Sequence, residues 1–290
     1  MSFKKAEKKR AKLKIAFAGP AGSGKTYSAL AVATSLANGR ATALIDTERG
    51  SASLYADKFE FDVLELAEYS PEKYVEAINQ AAKGGYECLV IDSLSHAWSG
   101  PGGLLDIVSN QQKRTGGGNS FTAWKDASPM QAKLIDTILT APLHIIATMR
   151  SKMEYVLDQV EKNGRTVSVP KRVGMAPVQK NDIEFEFSVF GELNLDHELV
   201  ITKTRVDTLK DMVFKEPGKD LANLLLTWLD TGKEVIETNQ DDIIWSRKIN
   251  ACMSVAELEA LRPLLSKLEN KEKLVPVYKE RFAQLNGDNA

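Results

Sequence analysis

KIAFAGPAGSGKTY, residues 14–27, is the stretch whose reading decides the fold. A short apolar run, Ile15-Ala16-Phe17-Ala18, ends at Gly19, and Lys25-Thr26 lead into the alanine-rich segment SALAVATSLAN. Gly19, Pro20, Ala21, Gly22, Ser23, Gly24, Lys25 and Thr26 match G-x-x-x-x-G-K-[ST] in full, between a strand pattern and a helix pattern. Glycines let successive backbone N–H groups turn inward around phosphate oxygens, and the helix N-terminus behind them favours negative charge. Lys25 is placed to reach the β- and γ-phosphates, and the Thr26 hydroxyl to ligate Mg²⁺, with Tyr27 next to them. The stretch implies a nucleoside-triphosphate site with Mg²⁺.

Composition bounds the rest. At 290 residues, with 43% hydrophobic and 27% charged side chains, the chain suits one sizeable α/β core with a small appendage. The net charge of −1 advertises no polyanion partner, so any DNA-binding surface must come from local segregation of charge. Cys88 and Cys252 lie far apart, and Cys88 sits in an apolar strand pattern as a small core residue. The lysine-rich N-terminus has no apolar h-region, and no run approaches the ~18 apolar residues of a membrane span. A cytoplasmic protein with no membrane partner is expected.

Residues 3–14 carry seven basic side chains and one acid, which suits either a solvated arm or a phosphate-backbone contact. Strand 14–18, helix 25–37 stopped by Asn38-Gly39, strand 42–46 and strand 61–66 follow. Ser70-Pro71 opens helix 71–83, Gly84-Gly85 stops it, and strand 87–91 delivers Asp92-Ser93. This alternation predicts an α/β fold with a mostly parallel, helix-covered sheet, and ligands at the carboxyl ends of its strands. Residues 100–128, bracketed by glycines around LLDIVSNQQKR, read as a long mobile loop. Helix 128–140 and strand 143–148 come next. Residues 150–180 hold seven basic side chains against three acids and include a hairpin, 154–169, turning at Asn163-Gly164. Strands 184–190 and 198–203 and helix 219–230 complete the core. The expected division is a basic arm at 1–13, a core at 14–232 and a helical region at 233–290. In the last, Ser254 to Glu257 form a capping-box signature and two leucine-rich stripes follow. That region suits a cap on the core or a tethered partner-binding module.

Asp92 ends an apolar strand, as the second Mg²⁺-organising acid of P-loop NTPases does. No acid follows it, where many helicases and AAA proteins carry a glutamate; Ser93 stands there. Glu48, just past strand 42–46, is the other place for a group that polarises water. Leu44-Ile45-Asp46-Thr47-Glu48 resembles the RecA-like recombinases, where the glutamate after that strand is the catalytic base. The resemblance implies that Tyr55 stacks on the adenine and that Asp92-Ser93 is the Walker B ending. It also implies that residues 100–128 and the segment from Arg150 are two DNA-binding loops. Lys203-Thr204-Arg205 resembles the paired basic residues that reach a neighbouring subunit's ATP site; solvated strand-end charges are the plainer reading of Lys203 and Arg205.

IDSLSHAW, GPGGLL, TMRSKMEY with its NGR hairpin, and VGMAPVQKNDIEFEF resemble short phage-encoded RecA-like ATPases, including single-strand annealing proteins. Phe3 and Ala6 form the F-x-x-A by which some recombinases dock on a neighbour. One departure stands out: Thr148 occupies the point where the recombinases carry a phosphate-sensing glutamine, so either Thr148 bonds a phosphate with its shorter reach, or coupling is weaker or routed through His96, for which a structural role is the plainer reading. The resemblance implies a Mg²⁺–ATP-dependent ATPase of phage recombination in the host cytoplasm, binding single-stranded DNA through Arg150, Lys152, Lys162, Arg165, Lys171 and Arg172. Trp124, Phe121 or Tyr155 would stack on bases. A homo-oligomer is implied, and a single-stranded-DNA-binding protein or another recombination protein on the C-terminal region. The rival expectation is a P-loop ATPase acting on a protein, such as a helicase loader.

Overall fold

The computed structural model describes residues 9–114, 120–162, 165–230, 233–234, 245, 248–250, 252–265 and 271–286. The strands and helices of the core are β1 (Lys14–Gly19), α1 (Lys25–Ala37), β2 (Thr42–Asp46), β3 (Asp62–Glu65), α2 (Pro71–Lys83), β4 (Cys88–Asp92), α3 (Ser95–Ser99), α4 (Leu104–Arg114), α5 (Ser120–Thr140), β5 (His144–Lys162), β6 (Arg165–Pro177), β7 (Val189–Leu193), β8 (Glu198–Thr204), β9 (Val213–Lys215) and α6 (Lys219–Asp230). Among the described residues the main sheet has nine strands. Its order is β9-β8-β7-β1-β5-β4-β2-β3, and β6 pairs antiparallel with the outer part of β5.

The centre of this sheet is parallel. β1 pairs with β5 and β7, and β4 pairs with β5 and β2. Parallel strands covered on both faces read as continuous apolar runs, and every residue of β1, β2 and β4 is buried. The two-residue side-chain period sorts them. Ile15, Phe17, Leu44, Val90 and Ile146 face the core under α1 and α6, whereas Ala16, Ala18, Ile45, Ile91 and Ala147 face the core under α2 and α5. Burying both faces this way pins the register, since a one-residue slip would exchange the two sets.

Two expectations need correction. The segment 100–128 is no long loop: α4 occupies 104–114, and α5 starts at Ser120 rather than at 128. Pro129 looks like a helix start but lies inside α5, where Ala123, Ala127, Gln131, Leu134 and Ile138 make one buried stripe through it. Leu104 and Val108 of α4 pack on Ala123 and Ala127, and Gln111 Nε2 donates to Asp126 Oδ2. The second concerns residues 184–190. Ile183–Phe185 form a 3-10 turn, and the strand is Val189–Leu193. Phe185 is exposed and Phe187 buried, so the alternation of EFEF comes from a turn. The 150–180 segment is a hairpin longer than expected, with Ser151 opposite Pro177 and Lys162 opposite Arg165; the turn at Asn163-Gly164 lies outside the described residues.

The chain divides into two compact units, Met1–Lys233 and Glu234–Ala290. In the second, α7 (Val255–Leu265) and α8 (Lys271–Asn286) bury Leu258, Leu265 and Leu274, with Leu261, Val277, Tyr278, Phe282 and Leu285 packed against them. Leu268 of the expected stripe lies outside the described residues. The capping box forms: the Glu257 N–H donates to Ser254 Oγ, and the Met253 N–H to Glu257 Oε2. No described helix is long and apolar enough to cross a membrane.

Candidate active site

The carboxyl ends of β1, β2 and β4 lie side by side with the part of β5 around Thr148 because the four strands run parallel there, so Gly19, Asp46, Asp92 and Thr148 share one edge. From Gly19 the chain turns into α1. A Cβ on Gly19 would lie 2.6 Å from both the Leu193 carbonyl and Ser23 Oγ, so only glycine lets the loop pass this close to β7. Gly22 and Gly24 take φ of 81° and 85°, the left-handed region that turns successive N–H groups toward one side. The first amides of α1 have no intrahelical acceptors and carry the positive end of the helix dipole. Ser23 Oγ is buried with no partner among the described residues, which fits a loop shaped around an anion. Lys25 Nζ donates to the Pro20 carbonyl at 2.8 Å, folded back over its own loop. Burial lowers the Lys25 pKa against the raising effect of Asp92 and Glu48.

Asp92 sits at the bottom of this edge, 2% exposed. Thr26 Oγ1 donates to Asp92 Oδ2 at 2.6 Å, and Thr148 Oγ1 donates to Oδ1. Burial pushes the Asp92 carboxyl above its ordinary range, and the two hydroxyl donors oppose that. A carboxylate and a hydroxyl in contact beside the loop are an oxygen pair of the kind that holds Mg²⁺. Thr148 thus binds the acid rather than standing free as a phosphate sensor. The Asp92–Ser93 peptide is cis.

Glu48 stands beyond β2. Its N–H donates to Asp46 Oδ1, and the Ala52 N–H donates to Asp46 Oδ2, so the buried Asp46 carboxylate fixes the turn that presents Glu48. Thr47 Oγ1 accepts from the Ser93 N–H at 2.7 Å and lies 2.7 Å from His96 Nδ1, tying the end of β2 to the segment after β4. His96 stacks on Tyr69, and its Nε2 comes within 4.0 Å of Glu48 Oε1. Burial, and then the charge of Arg150, lower the His96 pKa. Arg150 grips Glu48 with Nε to Oε1 at 3.1 Å and Nη2 to Oε1 and Oε2 at 2.8 and 2.6 Å. A P-loop, a buried Mg²⁺-type acid and a second carboxylate therefore converge on one strand edge. A family model described as "AAA domain" matches residues 11–247, which takes in every one of these groups.

The chain belongs to this AAA domain family. It accordingly carries a P-loop ATPase domain of AAA type, which implies nucleotide binding. No significant match was found among curated proteins. Within the AAA domain, Glu48 and Asp92 lie at the ends of neighbouring strands, β2 and β4. Tyr55 ends a 3-10 turn, and its ring meets Tyr27 edge-on at 5.8 Å, while Phe59 also meets Tyr27 edge-on at 5.1 Å and Lys58 Nζ lies over the Tyr27 ring.

Lys203 and Arg205 are not brought to this site. Lys203 pairs with Phe190 and Val189 pairs with Ile15, so both basic residues lie level with the start of β1. That is ~13 Å along the strand from the phosphate loop. Lys203 Nζ donates to the Phe185 and Phe187 carbonyls, while Arg205 is exposed. Among the expected DNA contacts, Arg150 is engaged by Glu48 and Lys152 is exposed. The side chains of Lys162, Arg165, Lys171, Arg172, Phe121 and Tyr155 lie outside the described residues, as do Phe3 and Ala6. Trp124 packs against Trp98 at 5.7 Å. Sequence reasoning missed Thr47 and the Glu48–Arg150 pair. It also missed His197, whose Nδ1 would sit 3.1 Å from a Cβ on Gly24. Thr47 and Arg150 flank recognisable motifs, but nothing local marks His197 as a neighbour of the loop.

Proposed function

We propose that this ATPase is a Mg²⁺–ATP-dependent, single-stranded-DNA-binding protein of the RecA-like kind, acting in phage DNA recombination or annealing. One observation carries the reading. The strand that brings Arg150 to Glu48 runs without a break into the β5–β6 hairpin, which bears most of the basic residues of the 150–180 segment. The hydrolytic carboxylate and the polyanion-binding segment are thereby one mechanical unit.

ATP would lie with its phosphates on the amides of Gly22 to Thr26 and on Lys25. Thr26 and Asp92 would hold Mg²⁺, which neutralises phosphate charge when bound. Glu48 is the group for the attacking water, since Ser93 cannot serve as a base. Tyr27 and Tyr55 are the aromatic surface for the adenine. Lys203 and Arg205, remote from their own site, fit a role at a neighbouring copy's site in a homo-oligomer, with Arg205 the freer of the two.

The test is ATP turnover with and without single-stranded DNA, beside an annealing assay. DNA should stimulate turnover. Lys25→Ala should abolish nucleotide binding, whereas Glu48→Gln should bind ATP and lose turnover by ~10²–10⁴-fold. A Glu48→Gln variant of normal rate overturns the RecA-like reading.

A second reading has its own observation. Met253, Leu264 and Val275 of the C-terminal unit are exposed, by 81%, 50% and 46%. Such residues suit docking on a protein, whether a recombination partner or the target of a helicase loader. ATPase stimulation by a partner protein, with DNA inert, would select the loader.

A further inference from the structure

The turn between β7 and β8, residues 194–197, stands on the other side of the phosphate loop from the carboxylates. In the sheet β1 lies between β7 and β5, and Asp92 and Glu48 follow β4 and β2 on the β5 side. Gly19 of β1 meets the end of β7, where a Cβ would lie 2.6 Å from the Leu193 carbonyl. From Leu193 the chain passes directly into the turn. With the γ-phosphate and Mg²⁺ held toward Thr26, Asp92 and Glu48, as read above, the sugar of a bound nucleotide has to leave the loop away from them. Ligands of such sheets collect at the carboxyl ends of parallel strands, and β7 is parallel to β1.

The turn is braced on both sides. Asn194 Oδ1 accepts from the Asp196 and Glu198 N–H groups, each at 2.9 Å, and Asn194 Nδ2 donates to Glu198 Oε2 at 2.9 Å. The His197 N–H donates to the Asn194 carbonyl at 3.2 Å, and its carbonyl accepts from the Glu216 N–H at 2.8 Å. Lys215 Nζ donates to the Asp196 carbonyl. Two residues past Glu216, a Cβ on Gly218 would touch Ala31 of α1 at 3.5 Å. Ala31 shares a helix face with Tyr27, one turn nearer the loop, so this brace runs along the side of α1 that bears the proposed adenine surface. His197 takes a φ of 61°. Glycine would hold that backbone with less strain, so what His197 adds is its ring. The ring stands against Gly24, with Nδ1 at 3.1 Å and Cγ and Cε1 at 3.8 Å from a Cβ there. It is exposed, and among the described residues it makes no side-chain hydrogen bond or ion pair.

We propose that His197 is a nucleotide-binding residue whose imidazole hydrogen-bonds the ribose hydroxyls of bound ATP. This rests on the reading above, in which the loop from Gly19 to Thr26 holds the phosphates. A neutral imidazole carries one donor and one acceptor. A sugar hydroxyl is both, so the pairing forms whichever ring nitrogen holds the proton. The bracing supplies what a binding group needs, since a side chain held in place beforehand loses little freedom on contact. Gly24 completes the fit, because any side chain there would take the space of the ring.

The experiment measures binding of ATP, ADP and inorganic tripolyphosphate to the full-length protein by calorimetry, with ATPase kinetics beside it. His197→Gly removes the ring and suits the left-handed backbone, so the fold should be retained. It should raise the Kd for ATP and ADP by about 10-fold, the worth of one or two ordinary hydrogen bonds, and leave that for tripolyphosphate near its wild-type value. In turnover the loss should fall on the KM for ATP. His197→Asn, whose amide also donates and accepts and whose backbone tolerates the same conformation, should recover part of the affinity. Unchanged ATP binding in His197→Gly overturns the proposal. Equal weakening of ATP and tripolyphosphate also overturns it, since the ring then acts only by propping Gly24. Lys25→Ala separates the failures. If it still binds ATP and tripolyphosphate, the phosphate-loop reading is wrong; if it binds neither while His197→Gly binds ATP normally, only the ribose contact is wrong.

Discussion

Asp92 is a buried carboxylate held by two threonines, and its cost and its use come from the same placement. A carboxyl whose folded pKa is raised destabilises the fold as pH rises above its ordinary value toward the raised one, chiefly because burial disfavours the charged form. Asp92→Asn should therefore stabilise the nucleotide-free protein by on the order of 1 kcal/mol, ~2–4 °C in Tm, while abolishing Mg²⁺-dependent turnover. Calorimetry beside an ATPase assay checks both halves. Lys14 offers the opposite sign at the other end of β1. It is buried, donates to the Ala141 and Leu143 carbonyls, and is pushed down to about 7, chiefly by desolvation and then by Lys12. Between about 7 and its ordinary 10.5 the unfolded chain binds the proton and the folded chain does not, so stability should rise with pH across that window. Lys14→Met should flatten that rise in denaturant titrations run from pH 7 to 9.

The elements show which local signals suffice. Helix α1 begins at Lys25 and stops before Asn38, as its sequence predicts, because a glycine-rich start and an αL residue at the end are both local instructions. Only the second half of helix α5, from 128 to 140, was legible. Its first half is short of large apolar residues, and Pro129 imitates a start; burial of Ala123 and Ala127 against α4 is what extends it. Strand β7 was misplaced for a related reason. Its position is set by pairing with β1 and β8, and by Gly191, where a Cβ would lie 2.7 Å from Leu199 Cδ1. The cap of α7 is a local instruction that was read correctly. Ser254→Ala should cost the C-terminal unit about 1 kcal/mol in thermal unfolding, with the ATPase rate unchanged.

At the scale of the molecule, the groups proposed to face the nucleotide, from Gly19 to Asp92 and at His197, all belong to the first unit. A chain of residues 1–233 should bind ATP with the affinity of the whole protein in a fluorescent-nucleotide titration, whatever the second unit does to turnover or partner binding. If roughly five phosphates are neutralised by the hairpin, log K for single-stranded DNA should fall with log salt at a slope near −3.5. A flat salt response would remove the hairpin from DNA binding.

By itself the sequence determined the phosphate loop, the parallel α/β core and the candidates Lys25, Thr26, Glu48 and Asp92, because each is announced within a few residues by glycine, periodicity or a strand end. Only the tertiary structure decided what those groups meet. Thr148 lies on Asp92 from 56 residues away, and Arg150 on Glu48 from 102. Those meetings depend on strand order: β5 runs between β1 and β4, and β2 lies beside β4, an adjacency fixed by burial of both sheet faces. No local pattern encodes that order, so no reading of a single segment could find the pairs it creates.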